Sequence, residues 1–269
     1  FEWFFKSYLK AEFGIENYHY SPSSSNSNYS EKIRNIVAEI DGVLKQFRMI
    51  VDDGIIDREL FEISSEHIFF DSVASMLENK YAYSISDDLN KEMQCLFSNQ
   101  SLLTSVKDKS KRYHSFFELL LNDKVCLSDF HPFQLNIINW LISRGTIKED
   151  KNGIITLNCA RTLLLSRLYN KEVICCYYWP ELMPVINRLV EVGEMVIESS
   201  LFTKAETNYL NYMLNKAEFS NGLDLRNKYA HGTNTIDEST QKADYLMLLS
   251  IMALIIIKIN EEFCLNDNK

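Results

Sequence analysis

With 269 residues, 46% apolar and 24% charged, the chain is long enough for one large or two modest domains around a substantial core. Its net charge of −9 argues against a protein that coats nucleic acid by bulk electrostatics, though it leaves a local basic site open. Only 8 Gly and 4 Pro, amid abundant Leu, Ile, Asn, Lys and Glu, speak against a many-turned β fold, so the class expected is mainly α.

The chain opens FEWFFKSYLK, read as an N-terminal helix. That aromatic start lacks the charged and apolar regions of a signal peptide and has no Met, so a fragment or processed chain is expected. The Ser/Asn-rich stretch 20–31 follows as a linker or flexible loop. After it, Ile33, Ile36, Val37, Ile40, Val43, Leu44 and Phe47 recur at three- and four-residue spacings, predicting an amphipathic helix that ends near Gly54. Helical patterns over 66–79, 86–98 and up to Asp123 complete a helical domain placed at 31–130.

A helix is predicted from Pro132 to Gly145, followed by two β-like runs, TIKE and GIITL, joined by a DKNG turn whose Asn and Gly tolerate positive φ. Helix plus two-stranded wing suggests a winged-helix unit over 131–178. Helices at about 180–199, 203–219, 222–231 and 239–264 then form a C-terminal domain, 179–269. The run 246–257 is shorter than the roughly 20 residues of a membrane span, so it is expected as the central buried helix of a bundle. No internal repeat stands out.

Several chemistries are absent as motifs. The glycines lie at least eight residues apart, which rules out a P-loop, a GxGxxG turn and a GxSxG elbow, and there is no HExxH. The six cysteines show no CxxC and are expected as reduced, mostly buried thiols of a cytoplasmic protein, with no metal and no cofactor. Asp52–Asp53 and Asp87–Asp88 sit beside turn signals, and His19, His67, His114 and His131 have no metal-spaced partner. One basic run, Lys107, Lys109, Lys111 and Arg112 beside Tyr113 and His114, fits either a phosphate-contacting patch or a solvated helix start.

The most informative stretch is SNGLDLRNKYAHGTN, 220–234. Breaks at 220–222 and 232–234 isolate a short helix carrying Arg226, Asn227, Lys228 and His231, with Gly232 as a left-handed C-cap. His231 would sit in the last turn, where the helix dipole favours an imidazolium suited to acid–base work. At 3.6 residues per turn Asn227 and His231 lie about 40° apart, but Arg226 and His231 about 140° apart. Either the last turn unwinds, or a second copy completes the site across a two-fold axis.

This LRN-x-x-AHG string resembles the HEPN superfamily, whose nucleases carry Arg, four to six residues, then His, often with Asn, Asp or His directly after the Arg. The resemblance covers about 180–265 and rests on about ten residues. It implies an all-α domain that dimerises and cleaves RNA, such as tRNA, without metal. By that analogy His231 is general base or acid for attack by the ribose 2′-hydroxyl, Arg226 stabilises charge on the pentavalent phosphorus, and Asn227 orients the phosphate or the histidine. Lys228 joins the basic run as an RNA contact. Where toxin members often carry Tyr two residues after the His, this chain has Thr233, which puts regulation through that tyrosine in doubt. Residues 180–269 hold 8 Lys/Arg against 13 Asp/Glu, so RNA would need a focused cleft or another segment. The expected function is a cytoplasmic homodimeric endoribonuclease of the bacterial defence or toxin kind, with a regulatory or antitoxin partner and no membrane. The alternative is an inactive HEPN dimerisation module that binds nucleic acid or protein.

Overall fold

The computed structural model describes residues 1–63, 68–107, 112–216, 219–230 and 237–267. In chain order, a π-helical turn Phe4–Tyr8 leads into α1 (Leu9–Phe13), followed by α2 (Tyr29–Asp53) and α3 (Arg58–Ile63). The middle of the chain contributes β1 (Tyr81–Ser84), α4 (Asp87–Phe97), α5 (Phe116–Asn122), α6 (Pro132–Ser143), β2 (Ile147–Glu149), β3 (Ile155–Leu157), α7 (Cys159–Lys171), β4 (Ile174–Cys175), α8 (Met183–Glu191) and β5 (Met195–Glu198). The C-terminal part is helical again: α9 (Lys204–Leu214), α10 (Leu225–Ala230) and α11 (Glu238–Asp267). The class is mainly α.

The domain division differs from the four segments expected. One compact unit joins Phe1–Glu78 to Ser199–Lys269, and Asn79–Glu198 is inserted between them as a second unit. Each has its own apolar core. The reason is long-range. The apolar face of α2 (Ile33, Ile36, Ile40, Val43, Leu44, Phe47) buries with Leu248, Ile251, Met252, Ile255 and Ile259 of α11, far along the sequence. Periodicity along the chain cannot report such a pairing.

In the helical unit, Asn28 caps α2 in a reciprocal box with Glu31, and Gly54 ends it in the left-handed region at φ 77°. The 20–31 stretch is no free linker at its start: Ser21 N donates to Glu39 at 3.0 Å, and just before it Tyr18 Oη donates to Val43 O at 2.6 Å. The helix expected over 66–79 is replaced, where described, by a 3-10 turn at Phe70–Ser72 and an extended segment in which Ala74 bridges Ser200. Fully buried Glu262 of α11 holds that segment, accepting from Ser75 Oγ and Met76 N. The apolar stretch also runs longer than expected. At 30 residues, with an 18-residue stretch of mean hydropathy 1.8, α11 is long and apolar enough to cross a membrane. It also buries Asp244, Lys258 and Glu262, each bonded, among its apolar contacts.

The inserted unit contains an internal duplication that the sequence reading missed. Val125, Pro132, Ile138, Asn139, Leu141 and Gly145 recur 48 positions later as Val173, Pro180, Ile186, Asn187, Leu189 and Gly193. The structure repeats with them. Gly145 and Gly193 end α6 and α8 in the left-handed region at φ 71° and 74°, each donating to the carbonyl three residues back. Ile138, Leu141 and Ile147 bury in the first copy as Ile186, Leu189 and Met195 do in the second. Each copy then builds a small antiparallel sheet of the same order. In the first, β3 lies between Cys126 and β2. In the second, β1 lies between β4 and β5. The second copy thus takes its central strand from the beginning of the unit, which sets the unit's two ends side by side, Tyr81 opposite Glu198. The sequence reading missed α7, and it took 195–198 as the end of a helix over 180–199, where pairing with β1 makes it a strand.

Candidate functional site

A six-residue helix cannot sustain itself in water, so the placement of α10 depends on what grips it. Its approach is set at Gly222, where a Cβ would stand 2.8 Å from the Tyr212 carbonyl oxygen. Leu223 N donates to that same carbonyl, tying the segment to α9. Asp224 then takes φ 54°, and its carbonyl receives the Lys228 amide. Leu225, Arg226 and Tyr229 turn inward and are buried.

Two carboxylates hold the polar side chains. On one side Arg226 is only 7% exposed. Its Nη2 donates to Asp41 Oδ1 of α2 at 2.5 Å, its Nη1 to Asn215 Oδ1 at 2.9 Å, and the guanidinium carbon lies 5.9 Å from the Phe70 ring centre. On the other side Asp244 of α11 accepts from Lys228 Nζ and Tyr229 Oη, both at 2.6 Å. Burial works against the charge of Arg226 and pulls its pKa down, while Asp41 opposes that shift. Burial, then the bond to Asp244, push the Tyr229 phenol well above its ordinary value, so it stays a donor. Arg226 Nε is buried and has no hydrogen-bond partner among the described residues. That leaves one donor of a desolvated cation unsatisfied, at an atom that solvent does not reach.

The structure therefore corrects one expectation and leaves another outside its reach. From its sequence alone, a short helix bounded by breaks reads as one whose polar side chains reach solvent. Asn227 does so, its amide donating back to Asp224 Oδ1 at 2.8 Å, whereas Arg226 is in the interior. His231 and Gly232 lie outside the described residues. Asp41, Asn215, Asp244 and Tyr229 were missed. The available signal was an Asp set among the inward-facing Ile40, Val43 and Leu44 of α2.

The basic run belongs to the inserted unit. Lys107 Nζ donates to Ser128 O, and Arg112 donates to Thr104 Oγ1 and Asn99 O, so both help organise their own loop. Lys109 and Lys111 lie outside the described residues, as does His67. Asn79–Glu198 holds 14 Lys/Arg against 14 Asp/Glu, which leaves the whole −9 with the helical unit. No cluster of three His, Cys, Asp or Glu suited to a metal ion occurs among the described residues. Comparison with known proteins found no matching family model, curated protein or solved structure.

Proposed function

We propose that the helical unit is a HEPN-type ribonuclease domain, working as a homodimer on RNA by metal-independent attack of the ribose 2′-hydroxyl. The observation that carries this reading is Arg226: a forked cation held in a cradle of one carboxylate and one amide, with Nε left unsatisfied. A preorganised, partly desolvated guanidinium is suited to charge developing on a phosphorus centre, because its electrostatic effect is larger away from water. Asn227, exposed one residue on, is available to orient a phosphate. His231, five positions after the arginine, supplies the acid–base group. The duplicated insert, with two helix–sheet copies of winged-helix order, would then be a recognition or regulatory module, consistent with a cytoplasmic defence or toxin effector controlled by a partner.

A second reading has one observation in its favour. Arg226 already spends two donors on Asp41 and Asn215, as a purely structural arginine would, which suits an inactive dimerisation module. Incubation with total RNA or tRNA in EDTA separates the two. Cleavage leaving 2′,3′-cyclic phosphate ends, lost in His231→Ala and reduced in Asn227→Ala, supports the nuclease. Intact RNA with stable binding supports the module.

A further inference from the structure

The two copies in the inserted unit meet at a cleft of about 600 Å³, lined among others by Ile142 and Arg144 at the end of α6, Arg161 at the start of α7, and Val185, Arg188 and Glu194 around α8. That volume falls within the range of small-molecule sites, roughly 300–1,000 Å³.

The duplication makes the chemistry of this cleft conspicuous. Trp140, Arg144 and Thr146 of the first copy correspond to Arg188, Val192 and Glu194 of the second, so the repeat loses its symmetry where the copies face each other. The charges introduced are arranged. Glu92 of α4, fully buried, accepts from Arg144 Nε at 2.6 Å and from Arg161 Nε and Nη2 at 2.9 and 2.7 Å. Glu194 takes the Arg144 fork, Nη1 and Nη2 each at 2.6 Å. Two carboxylates thus neutralise two guanidiniums and hold them rigid. Arg188 is the third. It lines the same cleft, is exposed, and makes no ion pair among the described residues. The wall therefore carries one surplus positive charge next to an apolar ledge of Ile142, Val185 and Leu189.

We infer that this cleft binds a phosphate-bearing small molecule of mononucleotide size, its phosphate on Arg188 and its ring against Ile142, Val185 and Leu189. A guanidinium without a carboxylate of its own is suited to a phosphate, with the neutralised Arg144–Glu194 pair as a fixed polar floor. A bare inorganic anion would leave most of the volume and the apolar ledge unused. A sugar phosphate without a base would leave the ledge of Ile142, Val185 and Leu189 with no ring to cover it. The site is separate from the helical unit and does not depend on RNA cleavage.

The test is isothermal titration of the full chain, without RNA, against AMP, GMP, ATP and inorganic phosphate at constant ionic strength. At least one nucleotide should bind once per chain with Kd below about 1 mM, and inorganic phosphate at least about tenfold more weakly. Arg188→Gln should weaken the nucleotide at least about tenfold with an unchanged melting temperature, since that side chain is exposed and unpaired. Val185→Trp, which fills the ledge, should do the same by exclusion. No nucleotide binding, equal binding of inorganic phosphate, or wild-type affinity in both folded variants would overturn the proposal.

Discussion

Arg226 and Asp41 are nearly buried, their side chains 7% and 16% exposed, so removing either breaks a largely buried ion pair. Arg226→Ala or Asp41→Ala should each cost about 3–5 kcal/mol in urea denaturation. Replacing both with apolar residues of similar volume should recover most of that loss. A loss below 1 kcal/mol in both single variants would show that the pair is not a buried one. Loss of activity in Arg226→Ala is therefore ambiguous by itself, and His231→Ala and Asn227→Ala are the cleaner probes. Glu194 gives a second residue-scale expectation. Hydrogen bonds from Arg144 hold its carboxyl below the ordinary value of 4.5. A carboxylate with a depressed folded-state pKa contributes stability above its unfolded value and loses it as pH falls through the folded one. The inserted unit should then melt progressively earlier below about pH 4.5, and Glu194→Gln should flatten that dependence. An unchanged acid limb in the variant would assign the effect elsewhere.

Among the elements, α11 is apolar nearly all round over residues 246–257, and there only its setting distinguishes one position from another. Ile255 is fully buried against the α2 face, whereas Ile257, two residues on, is 63% exposed. Ile255→Asp should yield insoluble or unfolded protein, because an unpaired charge in that core costs several kcal/mol. Ile257→Asp should stay soluble with a native helical circular dichroism spectrum. Equal behaviour of the two would mean that α11 does not pack as described. Helix existence was largely legible along the chain. The capped Asn28 start and Gly54 end of α2, the Pro132 start and Gly145 end of α6, and the hairpin around Asp150 all appear where local chemistry puts them. The failures were at 66–79, 159–171 and 195–198. At 66–79 and 195–198 apolar spacing was read without the partner strand that decided the conformation, and at 159–171 no helix was assigned at all.

For the whole molecule, the nested division has a direct consequence. Within the helical unit, Ser75 N donates to Ser199 O at 3.3 Å and Ala74 bridges Ser200, so the two points between which the insert is placed are already neighbours. Within the insert, β1 and β5 pair and bring its own ends together. Chains with this geometry tolerate excision. Replacing 79–198 by a short Gly/Ser linker should leave a helical unit that unfolds cooperatively in denaturant, and residues 79–198 expressed alone should do likewise. A molten or aggregated product from either would show that the two cores depend on each other.

The sequence by itself determined the mainly α class, the position of most helices, the hairpin, and the short helix carrying Arg226 and Asn227. These follow from caps, breakers and periodicity, all local in the chain. The duplication was also written there, in Val125, Pro132, Ile138, Asn139, Leu141 and Gly145 and their counterparts. It was diluted by the positions between them, which are free to vary as long as the apolar pattern is kept. Only the tertiary structure decided that the first and last stretches share one core, that Asp41 and Asp244 grip the motif helix, and that Arg226 is buried. It also decided that β1 completes the second copy of the repeat. Each of these joins residues more than a dozen positions apart, most of them far more. Which distant faces bury together depends on packing in three dimensions, and that is a property of the whole chain rather than of any stretch of it.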